Sequence, residues 1–323
     1  DICAAAESYI DWRIFGFFFS FAAAMFRAFY IGTTQTKTLT LNSVVMVLSN
    51  VVFNYVLVFG KLGFPALGIA GAAIGSSLCE LVSLVFFIVY TTRRIDCAKY
   101  GLAHRVRFRM RTLRSIFTVS FWTMIQSFLT LSTWFLFFLF VEHLGKEPLA
   151  VSNVVRSVSG FFYMIVAAFA ATCGSLVSNL IGAGKTDAVL PTIRQHIRLC
   201  YLFVLGLGVL VAVFPTAVIS IYTNIPELQA ATVPSLLVLC TAYVFHVPGI
   251  IYFQSISGTG NTRMAFLLEV VVQVVYVAYC VVIINWLRAD VAVCWTTEHI
   301  YGLALLVFCS IYIHRGGWRG KAV

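Results

Sequence analysis

The sequence predicts an all-α polytopic membrane protein with nine transmembrane helices in two groups. Three observations carry the prediction. Of 323 residues, 61% are hydrophobic and only 11% charged, with a mean hydropathy of +0.95; a soluble domain carries roughly a quarter charged residues. Nine apolar runs of about 18 or more residues follow one another, each long enough to cross a hydrocarbon core about 30 Å thick. One long polar stretch, 93–112, interrupts them. The runs do not alternate, which excludes a transmembrane barrel and leaves helices as the way to satisfy the backbone in lipid.

In order, the runs are 12–31, 39–60, 69–92, 114–141, 149–178, 199–221, 229–257, 264–286 and 296–313. Residues 1–92 form a first group and 113–323 a second. The linker between them carries Arg93, Arg94, Lys99, Arg105, Arg107, Arg109 and Arg111 against one acid, Asp96. Placing it in the cytoplasm fixes every other loop, because the chain alternates sides. Of the 22 Lys and Arg, 16 then fall on the linker's side, 4 opposite, and Arg27 and Arg156 inside spans. That asymmetry is the positive-inside signature. The net charge of +10 is therefore topological and implies contact with the lipid bilayer, with no nucleic-acid partner. Nine cysteines are scattered through the chain without a CxxC. They read as small packing residues, neither disulfides nor metal ligands.

A repeat runs through the chain. Gly32-Thr33-Thr34-Gln35-Thr36-Lys37 and Gly258-Thr259-Gly260-Asn261-Thr262-Arg263 share a pattern at an offset of 226, each between two spans. Gly followed by a cation is also ordinary helix C-terminal chemistry, so the match gains weight from its context. With that repeat length, the counterpart of the helix beginning at Leu113 precedes Asp1. The expectation is an N-terminally truncated chain whose parent has roughly 110 further residues and two six-helix halves, an arrangement typical of secondary transporters.

Ionisable residues inside spans cost roughly 2.5–3.5 kcal/mol on insertion scales and are functional candidates by default. Here they are Arg27, Glu80, Arg156, His246 and Glu269. Gln126, Thr130 and Thr133 share one helical face, as do Glu269, Gln273 and Tyr276, and Asn50 with Asn54 is an i, i+4 pair. Asn50, Asn54 and Gln126 read equally as hydrogen-bonding glue between helices or as site residues. Thr130 and Thr133 read as back-bonded to their own helix or as ligand contacts. Tyr276 is a packed aromatic or a site hydroxyl. Arg156 is expected to pair with Glu269 or Glu80. His246 reads as the one histidine inside a span. Pro248 frees the backbone carbonyl one turn before it, so a structural role stands beside a coupling role. Pro234 and Pro248 together suggest a kink.

Two stretches resemble the multidrug and toxic compound extrusion (MATE) family. Asn50-Val-Val-Phe-Asn54-Tyr55, continuing to Gly63-Phe-Pro65-Ala-Leu-Gly68-Ile-Ala-Gly71, looks like its fifth-to-sixth helix segment. Leu149-Ala-Val-Ser-Asn153-Val-Val-Arg156-Ser, followed by Ser175-Leu-Val-Ser-Asn-Leu-Ile-Gly182-Ala-Gly184-Lys185, looks like its eighth helix. The resemblance implies a two-lobed bundle in which the nine spans are helices 4–12 of twelve. Residues 1–92 are then the remainder of the N-lobe and 113–323 the C-lobe. It also implies a monomeric, multi-pass transporter of the inner (cytoplasmic) cell membrane that exports small cationic or amphipathic organic substrates in exchange for H⁺ or Na⁺, without cofactor or catalytic residue. Many members carry a carboxylate on the seventh helix where Thr130 stands here, and an Asp on the tenth where His246 stands. In some, an Asp occupies the position of Asn54. These departures disfavour the usual Na⁺ site of the C-lobe and point to proton coupling through His246, Glu269 or the expected acid of the first helix, with Arg156 tuning them and Asn50 and Asn54 as further coupling-ion candidates. Gln126, Thr130, Asn153, Gln273 and Tyr276 are the cavity candidates.

Three rivals stand against this reading, of which a receptor or structural scaffold is disfavoured by the lack of sizeable external loops and by the duplicated architecture. A lipid-linked oligosaccharide flippase needs a strongly cationic cavity, and only Arg27 and Arg156 lie in spans. A membrane-embedded enzyme needs a paired Asp, a Ser/His dyad or an HExxH, and none is present.

Overall fold

The computed structural model describes residues 2–96, 98–101 and 109–319. Eleven α-helices follow one another among them. They are α1 (Ile2–Gly32), α2 (Thr36–Phe59), α3 (Gly68–Arg94), α4 (Met110–Glu142), α5 (Lys146–Gly182), α6 (Val189–Val213), α7 (Pro215–Ile219), α8 (Pro226–Gly258), α9 (Thr262–Cys280), α10 (Val291–Cys294) and α11 (Thr297–His314). A 3-10 turn, Thr186–Ala188, leads into α6, and a π-helical turn, Val281–Trp286, prolongs α9. No strand occurs among the described residues. Nine segments there are long and apolar enough to cross a membrane, α10 and α11 counting as one and α7 being too short. The chain is a multi-pass, all-helical membrane protein. Cys97, Arg105, Arg107 and Lys321 lie outside the described residues.

Two limits differ from those read in the sequence, each for a physical reason. The first helix begins at Ile2, so Arg13 is inside a helix and not in a loop. The sixth lies earlier than 199–221: it runs from Val189 to Val213. Its first turns are amphipathic, with Val189, Ile193 and Cys200 buried while Arg194 and Arg198 are exposed, and a hydropathy window passes over such a stretch. It stops at Phe214 because Pro215 disfavours helical geometry in the residue before it and opens α7 instead.

Packing divides the chain into two compact units, 1–108 and 109–323. In the first, α1 and α2 each lie on α3. Its core is Ala23, Tyr30 and Phe87, and the Tyr30 hydroxyl meets Thr91 Oγ1 at 2.8 Å. In the second, α8 is the central helix, flanked by α5, α6 and α11, while α9 lies between α4 and α11. Fifteen residues of α8 are buried against three of α4. The α5–α8 crossing is backbone on backbone, since a Cβ on Gly258 would collide with the Gly174 carbonyl.

The two repeated motifs form the same turn. The amides of Thr33 and Thr259 donate to the carbonyls of Phe29 and Ser255 at 2.9 and 3.1 Å. Those of Thr34 and Gly260 donate to Ile31 and Ser257 at 3.1 and 3.0 Å. Gln35 (φ −91°, ψ 60°) and Asn261 (φ −85°, ψ 59°) then open the next helix. A third copy joins α5 to the Thr186 turn, with Ala183 donating to Asn179 at 2.9 Å, Gly184 to Ile181 at 3.0 Å, and Lys185 at φ −92°, ψ 54°. The central residue is left-handed in all three, at +59° for Thr34, +71° for Gly184 and +82° for Gly260. Only Thr34 adopts that conformation with a branched side chain.

Candidate functional site

Buried ionisable groups converge where α9, α4, α8 and α11 meet in the second unit. Glu269 and Gln273 stand one turn apart on α9, with exposures of 1% and 4%. Glu269 Oε1 accepts three hydrogen bonds: from the Thr130 hydroxyl on α4 at 2.9 Å, from Gln273 Nε2 at 2.8 Å and from the Tyr301 hydroxyl on α11 at 3.1 Å. All three donors are neutral, so the carboxylate is held by dipoles with no countercharge on it. Its Oε2 and the Oε1 of Gln273 are buried without a hydrogen-bond partner.

A second carboxylate lies beside the first. Glu298 is in the first turn of α11 and is buried. The Tyr276 hydroxyl donates to its Oε1 at 3.3 Å. His246 Nε2 is 3.4 Å from its Oε2 and 2.8 Å from its backbone carbonyl. A ring nitrogen facing two oxygens is a donor, which places a proton on Nε2. The Tyr301 ring connects the two carboxylates, its centroid lying 5.6 Å from that of His246 and 5.8 Å from that of Tyr276.

Two backbone features make room for this network. A Cβ at Gly302 would stand 2.5 Å from His246 Cδ2, so only glycine lets α11 come close enough to α8 for His246 to reach Glu298. Pro248 lacks the amide that would bond Val244 O, and the Tyr201 hydroxyl on α6 donates to that carbonyl at 2.5 Å instead. With this partner in place, α8 is helical through both Pro234 and Pro248.

Sequence reasoning passed over Glu298 and His299. The apolar run beginning at 296 made both look like end groups, yet α10 starts the span at Val291 and carries them inside. His246 is thus not the one histidine in a span, and His299 Nε2 lies 2.9 Å from Thr241 Oγ1. The signal was present as Glu298, Tyr301 and Gly302 at helical spacing.

The remaining candidates make other contacts. Arg156 pairs with neither Glu269 nor Glu80: it is exposed, and its guanidinium stacks 5.0 Å over Phe138. Glu80 lies instead 3.6 Å from Arg13 and 3.9 Å from Arg27, within the first unit. The proximity of α1 to α3 explains the change of partner. Asn54 Nδ2 donates to Asn50 Oδ1 at 2.9 Å, also in the first unit. On α4, Gln126 is half-buried and its carbonyl takes the Thr130 hydroxyl at 3.0 Å, while Thr133 bonds Leu129 O at 2.9 Å. Asn153 on α5 is half-buried, its carbonyl accepting from Ser157 at 2.9 Å.

Residues 123–282, which include Thr130, His246 and Glu269, match the family model described as MatE. The chain belongs to the MATE family. It is 24% identical over 265 residues to the probable multidrug resistance protein NorM of Thermotoga maritima, covering 81% of this chain and 56% of that protein. To NorM of Photorhabdus laumondii it is 26% identical over 246 residues, 75% and 53%. The chain thus spans about half the length of the curated relatives it matches. The fold is similar to a MATE crystal structure in the straight conformation, with a TM-score of 0.86 at 14% identity over 97% of this chain and 70% of that one. It is also similar to the eukaryotic MATE transporter AtDTX14, with a TM-score of 0.81 at 16% identity over 96% and 69%.

For a MATE protein the geometry is informative at two positions. Thr130 and His246 stand where the resemblance places acids on the seventh and tenth helices. Each contacts a carboxylate from a neighbouring helix, Glu269 from α9 and Glu298 from α11.

Proposed function

We propose that the protein is a secondary antiporter of the cell membrane that exports amphipathic organic compounds in exchange for protons, with Glu269 and Glu298 as the groups that load and release the proton. One observation supports this above the rest: two carboxylates lie buried inside spans, held by neutral donors and one imidazole. A permanent countercharge would fix each acid as an ion. Neutral donors instead leave both protonation states within reach, as an exchange cycle requires. The names of the relatives agree with an export role. Membrane vesicles carrying the protein test the reading through dye efflux, driven separately by a pH gradient and by a Na⁺ gradient. Efflux with the pH gradient alone is expected. Efflux with Na⁺ alone overturns proton coupling.

A further inference from the structure

The last turns of α3, in the first unit, carry a groove of about 450 Å³, a volume in the range of small-molecule pockets. Its wall changes character along the helix. Val82, Val85, Phe86 and Val89 make the apolar part, Tyr90 follows, and Arg93 with Arg94 closes the end. At ~1.5 Å per residue, the rise from Val82 to Arg93 is roughly 16 Å. That is about the depth of one leaflet of a hydrocarbon core ~30 Å thick. The groove is as deep as a lipid chain and is charged where a headgroup lies.

Both arginines are exposed, and among the described residues no carboxylate stands within ion-pair distance of either. The single acid of the linker, Asp96, is turned to its own backbone, its Oδ1 accepting from the amides of Ala98 and Lys99 at 3.0 and 3.2 Å. A third cation is held at the same end of the unit. Lys99 Nζ lies 5.8 Å from the centroid of the Tyr100 ring, which meets Phe29 of α1 at 5.3 Å. Arginines at a helix C-terminus also suit its dipole. That accounts for the charge but not for the apolar groove that leads to it.

We propose that this groove seats one anionic phospholipid, its phosphate between Arg93 and Arg94 and one acyl chain along the wall from Val82 to Val89. A guanidinium fork matches two phosphate oxygens, and cations next to a span draw anionic lipids to the surface. Tyr90 is half-buried and stacked on Phe86 at 5.7 Å. It stands between the levels of chain and phosphate, where an amphipathic ring belongs. The lipid fastens the end of α3, and with it the start of the linker, to the membrane plane. It uses none of the groups assigned to exchange, so it stands or falls apart from the proton reading.

The test is native mass spectrometry of the intact chain in detergent, titrated with dioleoylphosphatidylglycerol and, separately, with dioleoylphosphatidylcholine, which has the same chains and no net charge. The first phosphatidylglycerol is expected to bind about tenfold tighter or more, since each basic residue near the surface is worth roughly fivefold toward an anionic lipid. Arg93→Gln combined with Arg94→Gln should erase that preference, and the corresponding pair of lysines should keep most of it. Arg194→Gln with Arg198→Gln removes the same charge from the exposed face of α6 and should leave the preference as in wild type. Val85 is 49% exposed, so Val85→Trp fills the groove without disturbing the core. It should weaken phosphatidylglycerol by about fivefold or more, the worth of one or two methylenes withdrawn from an apolar wall. Equal binding of the two lipids, equal losses in the α3 and α6 double variants, unchanged binding in Val85→Trp, or glycerol phosphate binding as tightly as the lipid would each overturn the proposal.

Discussion

Glu269 and Glu298 are buried by different arrangements, and their variants should differ accordingly. Glu269→Gln keeps the shape and the acceptor oxygen but cannot titrate, so pH-driven efflux should disappear while thermal stability in detergent changes little. Glu269→Ala strands the Tyr301 hydroxyl and the Gln273 amide, while Thr130 keeps the Gln126 carbonyl, and a loss of about 1–3 kcal/mol per unsatisfied group is expected. At Gly302 the test is steric. Gly302→Ala pushes a methyl onto His246, which should cost about 1–3 kcal/mol, read as a lowered thermal midpoint, and should weaken proton coupling with it. Much of this site was legible at the residue scale: Glu269, Gln273, Tyr276, Thr130 and His246 all stood out as polar residues in apolar runs. Glu298 did not, because its meaning depends on where the span starts, and that is set by a single turn, α10, that hydropathy does not resolve. Arg156 misled for the opposite reason. Its charge marked it for an acid, and the stacking on Phe138 that it makes instead leaves no mark on sequence spacing.

At the scale of elements, two local repairs invite measurement. Tyr201 supplies the donor that Pro248 removes from α8. Tyr201→Phe should therefore cost about 1 kcal/mol or more, and much less when combined with Pro248→Ala, which restores the amide to Val244. Thermal unfolding of the two single variants and the double variant measures that coupling. The three matching turns give the second case. Thr34 holds a left-handed φ of +59° where the other two copies use Gly184 and Gly260, a conformation that costs a branched residue about 1–3 kcal/mol. Thr34→Gly should raise the melting temperature, and Gly260→Thr should lower it. The helices themselves were largely evident in the sequence, since each apolar run became one. The third turn was hidden because Gly182-Ala183-Gly184-Lys185-Thr186 shares with the others little beyond its glycine and threonine, while the shared feature is backbone geometry.

On the scale of the whole molecule, membership of the MATE family and the multi-pass helical architecture were foreshadowed by composition, by the 16-to-4 distribution of basic residues and by the motifs at 50–71 and 149–185. What those motifs did not convey is that Thr130 and His246 each meet a carboxylate from another helix. Glu269 of α9 and Glu298 of α11 make those contacts, so the cluster is assembled from four helices. That assembly is a property of packing between helices far apart in the chain, and no local pattern encodes it. The central claim is that these two buried carboxylates carry the exchanged proton. The most direct measurement follows internal pH with a trapped dye in proteoliposomes as an amine substrate is added, for the wild type, Glu269→Gln and Glu298→Gln. Substrate-driven proton movement in the wild type that is abolished by Glu269→Gln and strongly reduced by Glu298→Gln is the predicted result. Wild-type proton movement in both variants would contradict it.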